Sequence, residues 1–439
     1  MNTPIVDFVR QYRDSGAVRL HMPGHKGLGP LGVESLDITE INGADSLYEA
    51  SGIIRESEEN ASSLFGCPTF YSTEGSSQCI RAMLYLALLH AKALGKAPVI
   101  AAGRNAHKVF LSAAALLDLS VDWLVPESTG SYLTCQIAPE YLDRHLTAHP
   151  ATAVYITSPD YLGNLADIAS LAEVCHRHGC LLLVDNAHGA YLRFLAPSRH
   201  PMDLGADLCC DSAHKTLPVL TGGAYLHVAD PDLAAQAKQA LALFGSTSPS
   251  YLILQSLDAV NPRLAKEYPG KLAAVCGQLD GIKDVLANQG YVLCGNEPMK
   301  LTLCPKSMGF TGTDLAALLE AEKIICEFAD PDHVVLMAAP ENGTVLLDAL
   351  ERVLLAIPRR EPITQAPPAF HLPERVLSIR EAALSPGISL PVEECVGRVL
   401  QAATVGCPPA VPIMVCGERI GKDALEVFRY YGITHCNVI

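Results

Sequence analysis

The sequence predicts an α/β protein, with a large domain on a mainly parallel sheet followed in the chain by a smaller α+β region. Three observations carry this expectation. Between about Gly66 and Leu226, helical periodicity alternates with short apolar runs flanked by Gly, Pro or Asp, which is the pattern of parallel strands joined by crossover helices. The length of 439 residues exceeds what a single core usually serves, so more than one packed unit is expected. Beyond Pro262 the alternation gives way to a long helical stretch and strands of different spacing.

Taken in order, residues 98–102, 153–157, 180–184 and 208–210 read as strands, and 76–94 and 168–178 as helices. After the break at Pro269-Gly270, residues 271–289 read as a long helix, and 291–294 and 300–304 as strands of the smaller region. A connector at about 357–373, with Pro358, Pro362, Pro367 and Pro368, leads to the last segment. The expected division is an N-terminal arm with a glycine-rich loop over 1–30, a large cofactor-binding domain over 31–264, and a C-terminal α+β region over 265–439. In a sheet of this kind ligands sit beyond the carboxyl ends of the strands. That rule singles out His107, Pro159, Asp185 and Lys215.

Composition removes several classes of function. A chain that is 49% hydrophobic and 18% charged can bury a large core and is neither disordered nor collagen-like. With 47 acidic against 32 basic residues, a formal charge of −15 argues against nucleic acid or an anionic membrane as partner and favours a cationic small molecule. The fifteen cysteines are scattered with no C-x-x-C pair, so they read as buried thiols in a reducing compartment, and no metal site is expected. Cys175-His176-Arg177-His178-Gly179-Cys180 has metal-ligand residue types, but it reads as the end of a helix capped by Gly179. The first sixteen residues are amphipathic rather than signal-like, and no run reaches the roughly 18 apolar residues of a membrane span. A cytoplasmic location is expected.

The residues that carry chemistry are Asp185 at one strand end, Lys215 at a later one, and the helix start Ser72-Thr73-Glu74-Gly75-Ser76-Ser77 upstream. Each matches a need of pyridoxal 5'-phosphate. The cofactor takes a lysine amine to hold it as an imine, a carboxylate to keep its pyridine nitrogen protonated, and an anion cradle for its phosphate. Glycine-flanked hydroxyls at a helix N-terminus supply that cradle. Singly, a strand-end Asp is often a cap and a Lys a solvated charge; in this order on one alternating sheet they read as a cofactor site.

Further motifs run along the chain: Leu20-His-Met-Pro-Gly-His-Lys-Gly27, Asp37-Ile-Thr-Glu40, Asn42-Gly-Ala-Asp45, Arg104-Asn-Ala-His-Lys108, Leu183-Val-Asp-Asn-Ala-His-Gly-Ala190, Asp211-Ser-Ala-His-Lys-Thr216, Ser246-Thr-Ser-Pro-Ser-Tyr251, Pro408-Pro-Ala-Val-Pro412 and Gly417-Glu-Arg-Ile420. Together they resemble the ornithine/lysine/arginine decarboxylase family of fold-type I, aspartate-aminotransferase-like pyridoxal-phosphate enzymes, in a short form without an N-terminal wing domain. The resemblance implies Lys215 as the Schiff-base lysine, Asp185 as the pyridinium partner and His107 as the ring stacked on the cofactor. Gly75, Ser76, Ser77, Ser212 and His214 would surround the phosphate. Thr247 or Ser248 would reach the phosphate of a neighbouring subunit, which implies a homodimer with shared active sites. His188 would buttress Asp185, with a satisfied core histidine as an equal alternative. His25 in the glycine-rich loop, Glu327 and Glu418 are the candidates for substrate contacts, each weighed against a packing or surface role. The implied reaction is loss of carbon dioxide from lysine, ornithine or arginine, with a proton returned to Cα by His214 or Lys215, giving an amine of the kind used in polyamine biosynthesis.

Several positions depart from the family pattern. Glu74 stands for the usual Asn, Asn186 for an acidic residue, Asp160 for Thr, Cys407 for Tyr, and Tyr48 for a common His. Two readings compete with decarboxylation: an aminotransferase or carbon–sulfur lyase on the same fold, and a non-catalytic regulatory paralogue.

Overall fold

The computed structural model describes residues 1–125, 131–369, 372–403 and 410–439, so Cys407, Pro408 and Pro409 lie outside the described residues. The chain forms two compact units, Met1–Ala97 with Ile168–Gly270, and Pro98–Asp167 with Lys271–Ile439. In chain order the first seven strands are β1 (Thr69–Ser72), β2 (Val99–Gly103), β3 (Ser120–Leu124), β4 (Ala153–Thr157), β5 (Leu181–Asp185), β6 (Leu208–Asp211) and β7 (Ala224–Val228). The alternation of these strands with helices makes this an α/β protein, as the spacing of apolar runs predicts.

Within the first unit the strand order is β1-β7-β6-β5. β5 and β6 are parallel, with Asp185 opposite Cys210, while β7 runs antiparallel to both β6 and β1. Every residue of β5, β6 and β7 is buried. This explains the unbroken runs Leu-Leu-Leu-Val and Ala-Tyr-Leu-His-Val, since a strand covered on both faces has no side to give to polar residues. The helix Gly75–Ala93 packs across β6 and β7 through residues that include Cys79, Ile80, Met83 and Leu86. Each large apolar side chain so buried stabilises the unit by about 1.5–3 kcal/mol. In the second unit β4, β2 and β3 form a parallel array in that order.

The rest of the second unit carries β8 (Val292–Cys294), β9 (Lys300–Cys304), β10 (Phe328–Ala329) and β11 (Val334–Met337), which form an antiparallel sheet in the order β10-β11-β9-β8. The helix Tyr268–Asn288 sets Val275, Leu279, Ile282 and Leu286 at helical spacing into one core with Leu301, Leu303, Val334 and Leu336. A last antiparallel pair, β12 (Ile388–Pro391) with β13 (His435–Val438), encloses its own small core with Phe428 and Ile413. No helix among the described residues is long and apolar enough to cross a membrane.

Most predicted elements appear within a residue or two of their expected places: 76–94 as Gly75–Ala93, 168–178 as Ile168–Arg177 with Gly179 left-handed beyond it, and 98–102 as β2. Two proline readings change. Pro262 lies inside the helix Tyr251–Lys266 rather than marking a boundary. Pro269 and Gly270 belong to the first turn of the helix Tyr268–Asn288, where a missing N–H costs nothing.

Candidate active site

The site begins where β1 ends. The chain turns at Gly75, whose φ of +70° is open to glycine, and the Gly75 N–H donates to Gly222 O at 2.7 Å. The helix Gly75–Ala93 starts here with Glu74 at its N-cap, and that side chain makes no capping bond. The exposed Glu74 carboxylate instead accepts from the Ser246 N–H, so the departure from Asn turns away from the helix end. Ser212 Oγ donates to Ser76 Oγ at 2.8 Å, and a Cβ added at Gly75 would meet, among the described residues, His214 Cε1 at 3.9 Å. Two hydroxyls and an imidazole thus gather at the positive end of a 19-residue helix, with Ser77 in its first turn.

The two strand ends provide the rest. β5 delivers Asp185, which is 3% exposed; its Oδ1 accepts from the Ala187 N–H at 3.2 Å and from Cys210 Sγ at 3.6 Å. β6, its parallel neighbour, runs through Ser212 into the single helical turn Ala213–Thr216 that carries His214 and Lys215. Lys215 Nζ lies 3.0 Å from His188 Nε2, so the structure sets His188 against the lysine. His214 donates Nδ1–H to Gly223 O at 3.0 Å. Burial pushes its imidazole below the usual pKa, and the neighbouring Lys215 charge acts in the same direction.

Beneath these residues is a network that the sequence reading missed. Asp211, wholly buried, accepts from His200 Nε2 at 3.0 Å and His227 Nε2 at 3.1 Å on one oxygen, and from Asn186 Nδ2 at 2.6 Å on the other. Burial alone would raise the Asp211 pKa, but the two imidazoles outweigh it and hold the carboxylate below the ordinary range. This accounts for Asn186, because an acid there would confront Asp211 with a second buried carboxylate. Only the buried polar alternation in β6 and β7, Asp211 and His227, hints at it in the sequence. Tyr48 has a similar supporting place, accepting from Gln78 Nε2 at 2.8 Å.

Thr247 and Ser248 are exposed, one and two residues beyond the Ser246 N–H held by Glu74. His25 is engaged within its own loop, with Nε2 3.1 Å from Asp37 Oδ2 and Nδ1 accepting from the Gly27 N–H. In the second unit, His107 follows β2 and caps the helix Lys108–Leu117 by accepting from the Val109 N–H at 3.2 Å. Glu418, 2% exposed, is paired with Arg104 at 3.0 Å and accepts from the Val415 N–H. Glu327 is exposed and accepts from Tyr161 OH at 2.7 Å. Asp160 is buried and accepts from Asn164, and burial raises its pKa. The first unit therefore gathers Gly75, Ser76, Ser77, Asp185, His188, Ser212, His214 and Lys215 around the strand ends, while His107, Glu327 and Glu418 belong to the second.

Comparison with known proteins gives this geometry a lineage. The family model for "Orn/Lys/Arg decarboxylase, major domain" matches residues 3–279. The arginine decarboxylase of Halalkalibacterium halodurans is 28% identical, with 97% of this chain and 93% of that protein covered. Among solved structures, the lysine decarboxylase of Francisella novicida superimposes with a TM-score of 0.81 at 15% identity, covering 100% of this chain and 81% of that one. The constitutive lysine decarboxylase of E. coli gives a TM-score of 0.78 at 18% identity, covering 100% of this chain and 82% of that one. The chain therefore belongs to the Orn/Lys/Arg decarboxylase family of carboxy-lyases.

Proposed function

We propose that the protein removes the α-carboxyl group of a basic amino acid with pyridoxal 5'-phosphate attached at Lys215. The observation that carries this reading is the convergence of Lys215 and Asp185, at the carboxyl ends of adjacent parallel strands, with a helix N-terminus bearing Ser76 and facing Ser212. The donor set fits the cofactor. A phosphate is matched by the N–H groups of the first helical turn and two hydroxyls, and the open side of Gly75 leaves space there. When bound, pyridoxal phosphate supplies the electron sink for the pair left behind by carbon dioxide.

The chain's own residues do the rest. Lys215 Nζ is the covalent attachment point, and His188 accepts from it and fixes its direction. The Asp185 carboxylate, oriented by the Ala187 N–H and Cys210 Sγ, serves the protonated ring nitrogen. His214 has its Nδ1–H committed to Gly223 O and a lowered pKa, so at neutral pH its Nε2 accepts rather than donates. Returning a proton to Cα therefore falls to Lys215.

For the substrate, the charge of −15 suits a cation, and the curated relatives include arginine decarboxylases from Halalkalibacterium halodurans and three Bacillus species, which makes arginine the first amino acid to test. Of the two acidic candidates for a distal cation, Glu418 is already neutralised by Arg104, so Glu327 is the one we propose. We also infer a homodimer. The loop around His25 holds Val18, Leu20, Met22, Leu28 and Leu31 at 72–89% exposure, an apolar surface suited to a second copy.

The deciding experiment incubates the cofactor-loaded protein with arginine, lysine, ornithine and a neutral amino acid. Equimolar carbon dioxide and amine from a basic substrate, lost in Lys215→Ala, is expected. A keto acid without carbon dioxide, or no product from any of the three, would overturn the proposal.

A further inference from the structure

The antiparallel sheet of the second unit assembles three metal-ligating side chains that lie far apart in sequence. Cys294 ends β8, Cys304 ends β9, and His333 immediately precedes β11. The β9·β11 register pairs Leu303 with Val334, so one further step sets His333 opposite Cys304. The β8·β9 register pairs Val292 with Cys304 and Cys294 with Thr302, which puts Cys294 diagonally beside Cys304 on that same face. Leu301 and Leu303 point the other way, into the core beneath the helix Tyr268–Asn288. The two sulfurs and a ring nitrogen of His333 all lie within 4.8 Å of one another.

Cys294 packs against the apolar cluster of Tyr161, Leu162, Phe328 and Val335, whereas the groups around His333 are polar. Asp330 accepts from His333 Nδ1 at 3.2 Å, the carboxylate–imidazole pairing that fixes the tautomer of a metal-bound histidine and leaves Nε2 as a lone-pair donor. Asp332 is held through Oδ1 by Lys306 at 2.6 Å and Tyr430 OH at 2.8 Å, while its buried Oδ2 has no hydrogen-bond partner among the described residues. Asp330, Asp332 and His333 also offer ligand atoms within 4.8 Å of one another. An unpaired buried carboxylate oxygen on a residue next to an oriented imidazole is costly unless something occupies the space. Cys294 and Cys304 are only partly buried, so an ion can reach them.

We propose that Cys294, Cys304 and His333 bind a thiophilic divalent cation of the zinc class, with a water in the fourth position. Two sulfurs and one nitrogen are soft and borderline donors, which selects zinc over magnesium or calcium. Binding converts both thiols to thiolates and releases two protons, with no change of oxidation state. The ion would tie β8, β9 and the β10–β11 turn together at one edge of the unit.

The test uses the full chain, kept reduced. Zn²⁺ is expected to bind at one equivalent and to protect Cys294 and Cys304, but not the other thiols, from alkylation mapped by peptide mass. Co²⁺ should give a thiolate-to-metal charge-transfer absorption that Cys304→Ser abolishes, and Asp330→Asn should weaken the affinity by about 10–100-fold. The protection measurement needs no variant, so a misfolded substitution leaves it intact. Equal alkylation of both cysteines with and without Zn²⁺, or a Cys294–Cys304 disulfide formed in air without metal uptake, would overturn the site.

Discussion

Asp211 shows how much of the site depends on one side chain that touches no substrate. Replacing it with Ala would leave His200, His227 and Asn186 with buried, unanswered N–H groups, and the expected loss is about 3–5 kcal/mol, measurable by urea denaturation. Because its folded pKa is depressed, its stabilisation is complete above the ordinary carboxylate range near pH 4 and is lost as pH falls below it. The wild type should therefore lose stability more steeply than Asp211→Asn on acidification below about pH 4 in thermal melts. For Asp185→Asn the backbone and sulfur contacts can persist while the charge goes. Turnover should fall by at least about 100-fold with little change in melting temperature, as steady-state rates and melts would show. The positions of Asp185 and Lys215 at and just beyond strand ends are legible in the sequence, because strand ends are local features. Asp211's partners come from a loop and a neighbouring strand, and His188's contact with Lys215 depends on how the turn after β5 meets the helical turn after β6.

The helix start at Gly75 and the cap at Asp45 are decided at the scale of elements. Gly75→Ala makes an ordinary van der Waals contact with His214 but forces a side chain into a left-handed turn, at a cost of about 1–2 kcal/mol. Its Cβ would face His214 across the proposed phosphate cradle, so titration should show weakened binding of pyridoxal phosphate and little change for pyridoxal without the phosphate. Asp45 explains the motif Asn42-Gly-Ala-Asp45. Its carboxylate accepts from the N–H groups of Ser46, Ser51, Gly52 and Ile54, closing the start of the helix Ile53–Phe65. Burial opposes this, yet the N–H groups hold its pKa down. Asp45→Ala should cost about 2 kcal/mol by thermal denaturation. Helices such as Gly75–Ala93 were readable from periodicity, whereas β1, β3 and β7 were not. β1 and β7 run antiparallel to their neighbours, so no crossover pattern announces them, and only Val121 and Leu124 of β3 are buried.

At the scale of the whole molecule, the exposed apolar loop around His25 sets the expectation for assembly. Light scattering should give the mass of two chains, and Leu20→Ser combined with Met22→Ser should shift it toward one while far-UV circular dichroism is unchanged. If Thr247 and Ser248 serve the partner's phosphate, the monomeric variant should also bind pyridoxal phosphate more weakly.

The sequence by itself determined the α/β alternation, the order of helix start, aspartate and lysine on that scaffold, and membership of a decarboxylase family. These rest on local periodicity, turn chemistry and short motifs, which act over a few residues. Only the tertiary structure decided that Asn186 serves Asp211, that His188 meets Lys215, and that Cys294, Cys304 and His333 share one sheet face. A scan for closely spaced cysteines dismisses that last trio, because strand register rather than chain distance makes them neighbours.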